Sequence, residues 1–343
     1  MRGIRFVFLK IIYYFCLVNE YSIDIYTKSE DLPSLLEGNF FHSRELFSIM
    51  EHTPGHSPYM VVASSHKGNT IGQLLVTVQR RGNWIPPYLY THARAHGEGE
   101  YAENVNAESI FGEMIKAITH KLDRRLCLYI EFSGIKKKMF GYREFRRNDY
   151  FPITWQEVHN SLHSQAPINR LSPKMAERIE KLERKGIETH EATQASEIVA
   201  FHKLLKRFYR FKPRRHIPSI QHFEQMSKSQ NSKIFLTTYK QHIIAGCACV
   251  YSQHNAYLWY LAAKRKTFVT LHPDTMAVWH AIQYAYEHKY DHIYFMDVGL
   301  PWHKNPFREF ILSFGGKPVS KFRWFRFYNH FVNIILKWLY KTK

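Results

Sequence analysis

One short segment near the C-terminus brings together residue types suited to proton transfer and to anion binding. Asp297 ends an otherwise apolar run, and His303, Lys304 and Arg308 follow in the next predicted turn and helix. A carboxylate at the end of a strand can accept a proton or orient a neighbouring group. It can equally cap the turn or helix after Gly299, and both interpretations stay open at this point.

A second group of charged residues follows another predicted strand. Tyr260 lies within that strand, and Lys264, Arg265 and Lys266 come just after its end. Three successive cations beside a helix that begins at Pro273 can bind a phosphate group. A phosphate site and a solvated loop are both compatible with this pattern.

A glycine-containing segment, residues 88–101, carries a third set of candidates. Its sequence is YLYTHARAHGEGEY, which places Arg94, Glu98 and Glu100 around two glycines. Glycine lets the backbone approach a ligand closely, and a carboxylate can bind an amine or act as a base. An ordinary turn is the alternative, but the number of ionisable groups favours a functional loop.

Metal and nucleotide motifs are missing from the sequence. His159 and His163 are four residues apart, but no H-E-x-x-H pair and no third ligand at helical spacing accompanies them. The motifs G-x-x-x-x-G-K-[ST], G-x-G-x-x-G and G-x-S-x-G are also absent. The sequence therefore gives no support to a metal site, a hydrolase, a nucleotidase or a dehydrogenase.

Charge and composition narrow the class of partner. The 343 residues are 45% hydrophobic, and 48 Lys and Arg against 29 Asp and Glu give a net charge of +19. Such a field attracts nucleic acid, an anionic membrane face or a phosphorylated small molecule, although an inert basic surface remains an alternative. Four cysteines are too few for a disulfide framework, so a reducing cytoplasm is the expected compartment.

The elements that must position these residues occur twice in the chain. Without gaps, residues 60–78 align with 234–252, each as two apolar runs joined by a short polar turn, which predicts a β-hairpin. Residues 128–145 align in the same way with 293–310, and each copy follows a segment of helical periodicity. The chain therefore contains an internal duplication.

The order within each copy predicts the fold class. Hairpin, strand, helix, strand, glycine turn, helix and strand indicate an α/β fold with a mixed sheet, in two tandem domains that arose by duplication. We expect an N-terminal apolar and basic segment at 1–21, a first domain at 22–165, a second at 166–328 and an amphipathic helix at 329–343. Ser172 and Pro173 are expected to begin a charged connecting helix that Gly186 ends.

Comparison of the two copies separates scaffold from chemistry. Arg308 matches Arg143 of the first copy, which favours a structural role for it. Asp297, His303 and Lys304 have no counterpart of the same type, so they are the stronger functional candidates.

At this level of detail the sequence resembles a known family. FMDVG at 295–299, followed by FREFILSFGGKPV at 307–319, resembles the last motif of the FemABX type of tandem GNAT-like acyltransferases. NFFHSRELFSIM at 39–50 resembles the early helix entry of that family. Segments such as RLSPKM and WYLAAKRK are similar to FemAB-like proteins of gut Bacteroidetes. The likeness covers about residues 22–330.

The resemblance implies an N-acyltransferase. Such an enzyme moves an acyl or aminoacyl group to an amine of a cell-envelope precursor of the peptidoglycan type, by direct attack without a covalent enzyme intermediate. The donor is aminoacyl-tRNA or acyl-CoA as a co-substrate, with no permanently bound cofactor. Residues 264–275 contain no glycine, which disfavours acetyl-CoA because a glycine-rich turn there holds the CoA pyrophosphate in single-domain GNAT enzymes. A non-catalytic protein whose basic cleft binds tRNA, lipid phosphate or a partner is the alternative.

For such a transfer we expect Asp297, Tyr260 and His303 to be catalytic and no metal to take part. The substrate-binding candidates are the charged residues near the predicted strand ends: Arg94, Glu98, Glu100, Lys264, Arg265, Lys266, Lys304 and Arg308.

The two ends of the chain raise the question of a membrane. Phe6 to Val18 is apolar apart from Lys10, but it is too short to span a bilayer and no small-residue cleavage site follows it. The C-terminal helix is expected to dock on its domain or to lie on a membrane surface. We therefore expect a cytoplasmic protein with anionic substrates, possible peripheral contact with the inner membrane face, and no DNA partner.

Overall fold

The computed structural model describes residues 21–82, 89–123, 127–210, 216–296 and 298–340. Asp297 and nearly all of the predicted N-terminal segment lie outside these ranges.

The first half of the chain has the predicted order of elements. Its strands are β1 (Tyr21–Tyr26), β2 (His56–Ser65), β3 (Thr70–Gly82), β4 (Leu89–His96), β5 (Glu100–Tyr101), β6 (Cys127–Ser133) and β7 (Phe151–Ser161). Its helices are α1 (Arg44–Glu51), α2 (Ala107–Asp123) and α3 (Tyr142–Arg147). The hairpin predicted at 60–78 is β2 and β3, which pair antiparallel.

The second half repeats this order after a helical connection. Its strands are β8 (Glu188–Glu191), β9 (Ser232–Tyr239), β10 (His242–Ser252), β11 (Asn255–Ala263), β12 (His292–Phe295) and β13 (Lys317–Phe327). Its helices are α4 (Pro173–Arg184), α5 (Ala195–Tyr209), α6 (Ile220–Lys228), α7 (Pro273–Glu287), α8 (Pro306–Leu312) and α9 (His330–Leu339). As predicted, Ser172 caps α4 by accepting from the Met175 amide, and Gly186 follows its end with φ of +73°.

The strands in the described part of the chain join in one mixed sheet of 13 strands. The order is β1-β2-β3-β4-β6-β13-β7-β12-β11-β10-β9-β8, with β5 paired to β3. Within each half a parallel pair, β4 with β6 and β11 with β12, lies beside antiparallel hairpins. The predicted mixed sheet and internal duplication are confirmed.

The two halves exchange their last strands. β7, from the first half, pairs with β12 of the second, and β13, from the second half, pairs with β6 of the first. β7 and β13 also pair with each other, from Phe151↔Phe325 to His159↔Lys317. The predicted boundary near residue 165 separates the two repeats along the sequence. In three dimensions one sheet contains the strands of both halves.

Helices cover both faces of this sheet. On one face α2 buries Ile110, Met114, Ile118 and Leu122, which lie four residues apart and form a single stripe, and α7 covers the second half similarly. On the other face α1, α5 and α6 share one hydrophobic core with strands of both halves. Polar contacts also join the halves there, as the Asn231 amide donates to Glu45 at 2.7 Å and the Phe40 amide donates to Ser252 at 3.0 Å.

The Phe-Gly-Gly sequence at 314–316 is needed where β13 begins. Gly315 has φ of +85°, and a Cβ there would overlap the backbone carbonyl of Arg170. A Cβ on Gly316 would overlap Asn160, whose amide donates to the Phe314 carbonyl at 2.9 Å. These glycines therefore allow α8 to turn into the exchanged strand in close contact with the connection between the halves.

Replacing Gly315 with Ala tests this contact. We expect Gly315→Ala to lower the free energy of unfolding by about 3 kcal/mol, because strain at positive φ adds to a backbone overlap. Gly186→Ala is the matched control: its φ is +73° and a Cβ there meets nothing within 4 Å. It should cost only about 1 kcal/mol. Equal losses in urea unfolding of the two variants would contradict the proposed close approach.

Candidate active site

A cavity of about 820 Å³ lies on the face of the sheet that carries α1, α5 and α6, and residues of both halves line it. Its first wall follows from strand alternation, since every second side chain of β3, β4 and β6 points to this face. The polar members of that wall are Thr77, Gln79, Arg81, Arg94, His96, Glu131 and Ser133. The exchanged strands add Trp155 from β7 and Arg323 from β13.

A buried carboxylate organises two arginines at the floor of the cavity. Glu131 Oε1 accepts from Arg94 Nη2 at 3.1 Å and from Arg323 Nη1 at 3.1 Å. Arg94 is the cross-strand neighbour of Glu131, and the guanidinium of Arg323 lies 4.0 Å from the ring centroid of Trp155. One carboxylate between two guanidinium groups leaves a net positive charge at this floor, which suits an anionic group of a substrate.

Three histidines line another part of the cavity: His56, His216 and His222. The ring centroid of His56 lies 6.2 Å from that of His216 and 6.3 Å from that of His222. Burial is the main cause that lowers the pKa of His56 to about 4 and that of His222 to about 3. Both rings are therefore neutral at pH 7, and each has one unprotonated nitrogen that can accept a hydrogen bond.

His222 has an unused nitrogen. The side chain is fully buried, its Nδ1 lies 3.3 Å from the Thr53 hydroxyl, and its Nε2 has no hydrogen-bond partner among the described residues. A buried polar atom without a partner is costly in a folded protein and is a feature of functional sites. The described residues contain no group of three or more His, Cys, Asp or Glu placed to hold a metal ion.

An opening between two parallel strands leads into the cavity. Among the described residues β11 and β12 pair over Asn255–Leu258 and His292–Phe295, and this ladder ends at Leu258 although β11 continues to Ala263. Trp259 lies at a bulge opposite β10, and Trp259, Tyr260 and Met296 line the cavity where the strands separate. The second half thus has a cleft between its parallel strands.

The corresponding strands of the first half stay together. β4 and β6 remain paired to His96↔Ser133, and the Gly97 amide then donates to the Ser133 carbonyl at 2.7 Å. The His96 ring fills the space beside Gly134, where a Cβ would overlap it. The duplicated fold is therefore open in one copy and closed in the other.

Three of the residues predicted from the sequence line the cavity: Tyr260, Arg94 and Arg265. Tyr260 is buried, with its ring centroid 6.3 Å from that of His222. Arg265 pairs with Asp274 in the first turn of α7 at 2.5 Å and lies near the rings of Phe208 and Phe310.

The other predicted residues lie away from the cavity lining. Arg308 is buried and donates to the carbonyls of Leu300 at 2.9 Å and His303 at 2.8 Å, which holds the loop before α8. The side chains of His303, Lys304 and Lys266 are exposed, and Lys264 is half-buried. Asp297 lies outside the described residues.

The two glutamates of the glycine-containing segment make structural contacts. Glu98 accepts from the Lys136 amide at 3.0 Å, and burial raises its pKa. Glu100 accepts from Gln253 at 2.7 Å, a contact between the two halves.

The sequence reasoning missed His56, His222, Glu131, Arg323 and Trp155. A signal existed for Glu131, which is the one charged residue of the mostly apolar strand β6. Arg323 is one of four basic residues of β13, so its strand carries no such signal. The histidines carry no such signal, because His56 and His222 meet only after the two halves fold together.

One family model matches the second half of the chain. Residues 172–304 match the family model described as an acetyltransferase (GNAT) domain. This region contains β11, β12 and α7, and therefore the open cleft. GNAT domains use an acyl-CoA as a co-substrate rather than as a permanent cofactor. A search of curated proteins found no match.

Solved structures match most of the chain. FemX is similar with a TM-score of 0.62 at 9% identity, over 88% of this chain and 95% of FemX. A tandem GNAT protein from the clavulanic acid biosynthesis pathway gives 0.56 at 9% identity, over 90% of this chain and 99% of that chain. The C-terminal domain of a putative lysylphosphatidylglycerol synthetase from Agrobacterium fabrum gives 0.54 at 10% identity, over 88% and 92%.

At these identities the structural matches establish the fold, and the family model establishes the kind of domain. The second half therefore contains a GNAT acetyltransferase domain, and the chain has the fold of tandem GNAT proteins such as FemX.

Proposed function

We propose that the chain transfers an aminoacyl group to an amine of a phosphate-bearing cell-envelope precursor of the peptidoglycan type. The observation that carries this proposal is the cleft between β11 and β12, which opens onto the cavity between the two halves. The donor enters through that cleft, and the acceptor amine lies in the cavity. FemX and the putative lysylphosphatidylglycerol synthetase, which have the same fold, support the choice of an envelope acceptor.

The cleft suits the extended end of an acyl carrier. β11 continues beyond the end of its ladder with β12, and an extended chain can pair along such a strand as an added strand does. Tyr209 lies at this place, with its hydroxyl donating to the Leu261 carbonyl at 3.0 Å.

The start of α7 favours aminoacyl-tRNA over acyl-CoA. A helix N-terminus preceded by a glycine turn binds pyrophosphate through its free amides. Here the carboxylate of Asp274, which is buried, occupies the first turn and pairs with Arg265. A pyrophosphate in this place would meet a negative charge, whereas the net charge of +19 remains available to bind the tRNA backbone elsewhere.

His222 is placed to take the proton of the attacking amine. In the transfer the amine nitrogen bonds to the donor carbonyl carbon, the bond from that carbon to the carrier oxygen breaks, and the nitrogen loses a proton. We assign that proton to Nε2 of His222, from which it passes to the departing oxygen. Tyr260 lies beside this ring and is suited to donate a hydrogen bond to the carbonyl oxygen. The roles predicted for Asp297 and His303 remain predictions.

The arginines at the cavity floor are suited to an anionic group of the acceptor. Arg94, Arg323 and Arg81 all line the cavity, and a guanidinium group binds phosphate through two parallel hydrogen bonds. This placement orients the acceptor so that its amine approaches the histidines on the other side.

The first test is transfer itself. We expect labelled aminoacyl-tRNA to lose its label to an amine acceptor that carries phosphate, and labelled acetyl-CoA to react at least tenfold more slowly. A preference for acetyl-CoA would contradict the proposed aminoacyl donor but not the transfer reaction itself. If the label left neither donor with any acceptor, the transfer proposal would fail and the binding alternative would replace it.

Replacing His222 tests the proton acceptor. We expect His222→Gln to lower kcat about 100-fold with little change in the acceptor KM, because general-base catalysis contributes about that factor. His159→Gln is the control, since His159 lies on β7 outside the cavity lining. Thermal unfolding of both variants checks the fold. Undiminished kcat in the folded His222→Gln variant would remove this histidine from the mechanism.

Replacing Arg94 tests the acceptor site. Arg94→Gln should raise the acceptor KM about tenfold while kcat stays within a few-fold, because a charged hydrogen bond is lost and Glu131 keeps Arg323. With an acceptor that lacks phosphate, the difference from the natural chain should disappear. Arg147→Gln, which breaks a surface ion pair with Glu144, is the control. Equal effects on both acceptors would argue against phosphate recognition by this arginine.

A further inference from the structure

The C-terminal helix α9 presents its apolar side to solvent. Its exposed residues are Phe331, Val332, Ile334, Ile335, Trp338 and Leu339, and the exposed fraction is 77% for Phe331 and 73% for Trp338. Helical spacing places these side chains on one broad face of a helix of 10 residues. A contiguous exposed apolar face of this kind marks a surface that binds something.

The polar side of the helix fixes this orientation. Asn333 is buried, its Oδ1 accepts from the Phe327 amide at 3.0 Å, and its Nδ2 donates to the Asp149 carbonyl at 3.1 Å. One turn later Lys337 pairs with the Asp149 carboxylate at 2.6 Å. A helix that docks on its own domain turns the apolar face inward. Here the polar face is anchored, and the apolar face points outward.

The positive charge at the C-terminal end of the chain favours an anionic partner for α9. Residues 328–343, which contain α9, include Lys337, Lys341 and Lys343 and no Asp or Glu, and the chain as a whole has a net charge of +19. Two copies of this end would repel each other at low ionic strength. A surface that is both apolar and anionic would be attracted to it, and a bilayer with anionic headgroups has both properties.

We propose that α9 lies in the headgroup region of a membrane that contains anionic lipids and attaches the chain to that surface. The helix is about 15 Å long, which suits a position along the surface. None of the helices in the described part of the chain is long and apolar enough to cross a membrane. Trp338 is of the type that favours the interface between water and lipid. This proposal rests on the surface of α9 and does not depend on the reaction.

The test uses the full chain and sedimentation with vesicles. We expect binding to vesicles of phosphatidylcholine mixed with phosphatidylglycerol, weaker binding to phosphatidylcholine alone, and a decrease on adding salt. Changing Phe331→Ser, Ile335→Ser and Trp338→Ser together should lower the bound fraction at least tenfold, because three exposed apolar side chains no longer enter the lipid. Trp302→Ser, at an exposed aromatic residue outside α9, should leave binding unchanged.

Three results would overturn the proposal. They are failure of the natural chain to bind anionic vesicles, undiminished binding of the triple variant, and a dimer of the natural chain that the triple variant makes monomeric without any vesicle binding. The last result would show that the apolar face of α9 binds a second copy of the chain. Unchanged unfolding temperature and unchanged transfer to a water-soluble acceptor would show that the triple variant is folded and active.

Discussion

The antiparallel pairing of β7 with β13 is the constraint on which the remaining architecture depends. Each strand comes from one half and lies beside the parallel pair of the other half, so neither half can complete its sheet alone. The pairing brings Trp155 and Arg323 to the same face, where Arg323 reaches Glu131 across 192 residues of sequence. The floor of the cavity is therefore completed by the exchange, and a displacement of β13 would separate Arg323 from the carboxylate that it shares with Arg94.

The two halves have the same order of elements, but they differ in how far their parallel strands stay paired. In the first half the pairing of β4 with β6 continues to the strand ends, and His96 occupies the space over Gly134. In the second half β12 ends at Phe295 while β11 continues to Ala263. His96 thus fills the cleft of the first half, whereas the cleft of the second half stays open. The cavity that it meets is lined from both halves, by Arg81, Arg94 and His56 of the first and by Arg323 and His222 of the second.

The sequence could predict what depends on local pattern. The repeat, the hairpins and the helix from Pro173 to Arg184 follow from alternation, periodicity and capping, which act over a few residues. The site depends on contacts between distant segments, as His56 and His222 show. The predicted cations at 264–266 illustrate the limit: their position after a strand was predictable, but the pairing of Arg265 with Asp274 required the geometry of the turn.

The positive charge of the cavity affects its histidines as well as its ligands. After burial, repulsion from His216 and then from Arg81 helps to hold the pKa of His56 low. An anionic substrate that binds Arg81 would cancel part of this repulsion and raise the pKa of His56. Occupation of the anion site and proton acceptance by His56 would then be coupled, because each favours the other. In this arrangement His56 becomes a stronger base when the acceptor is in place, and the empty site keeps its ring neutral.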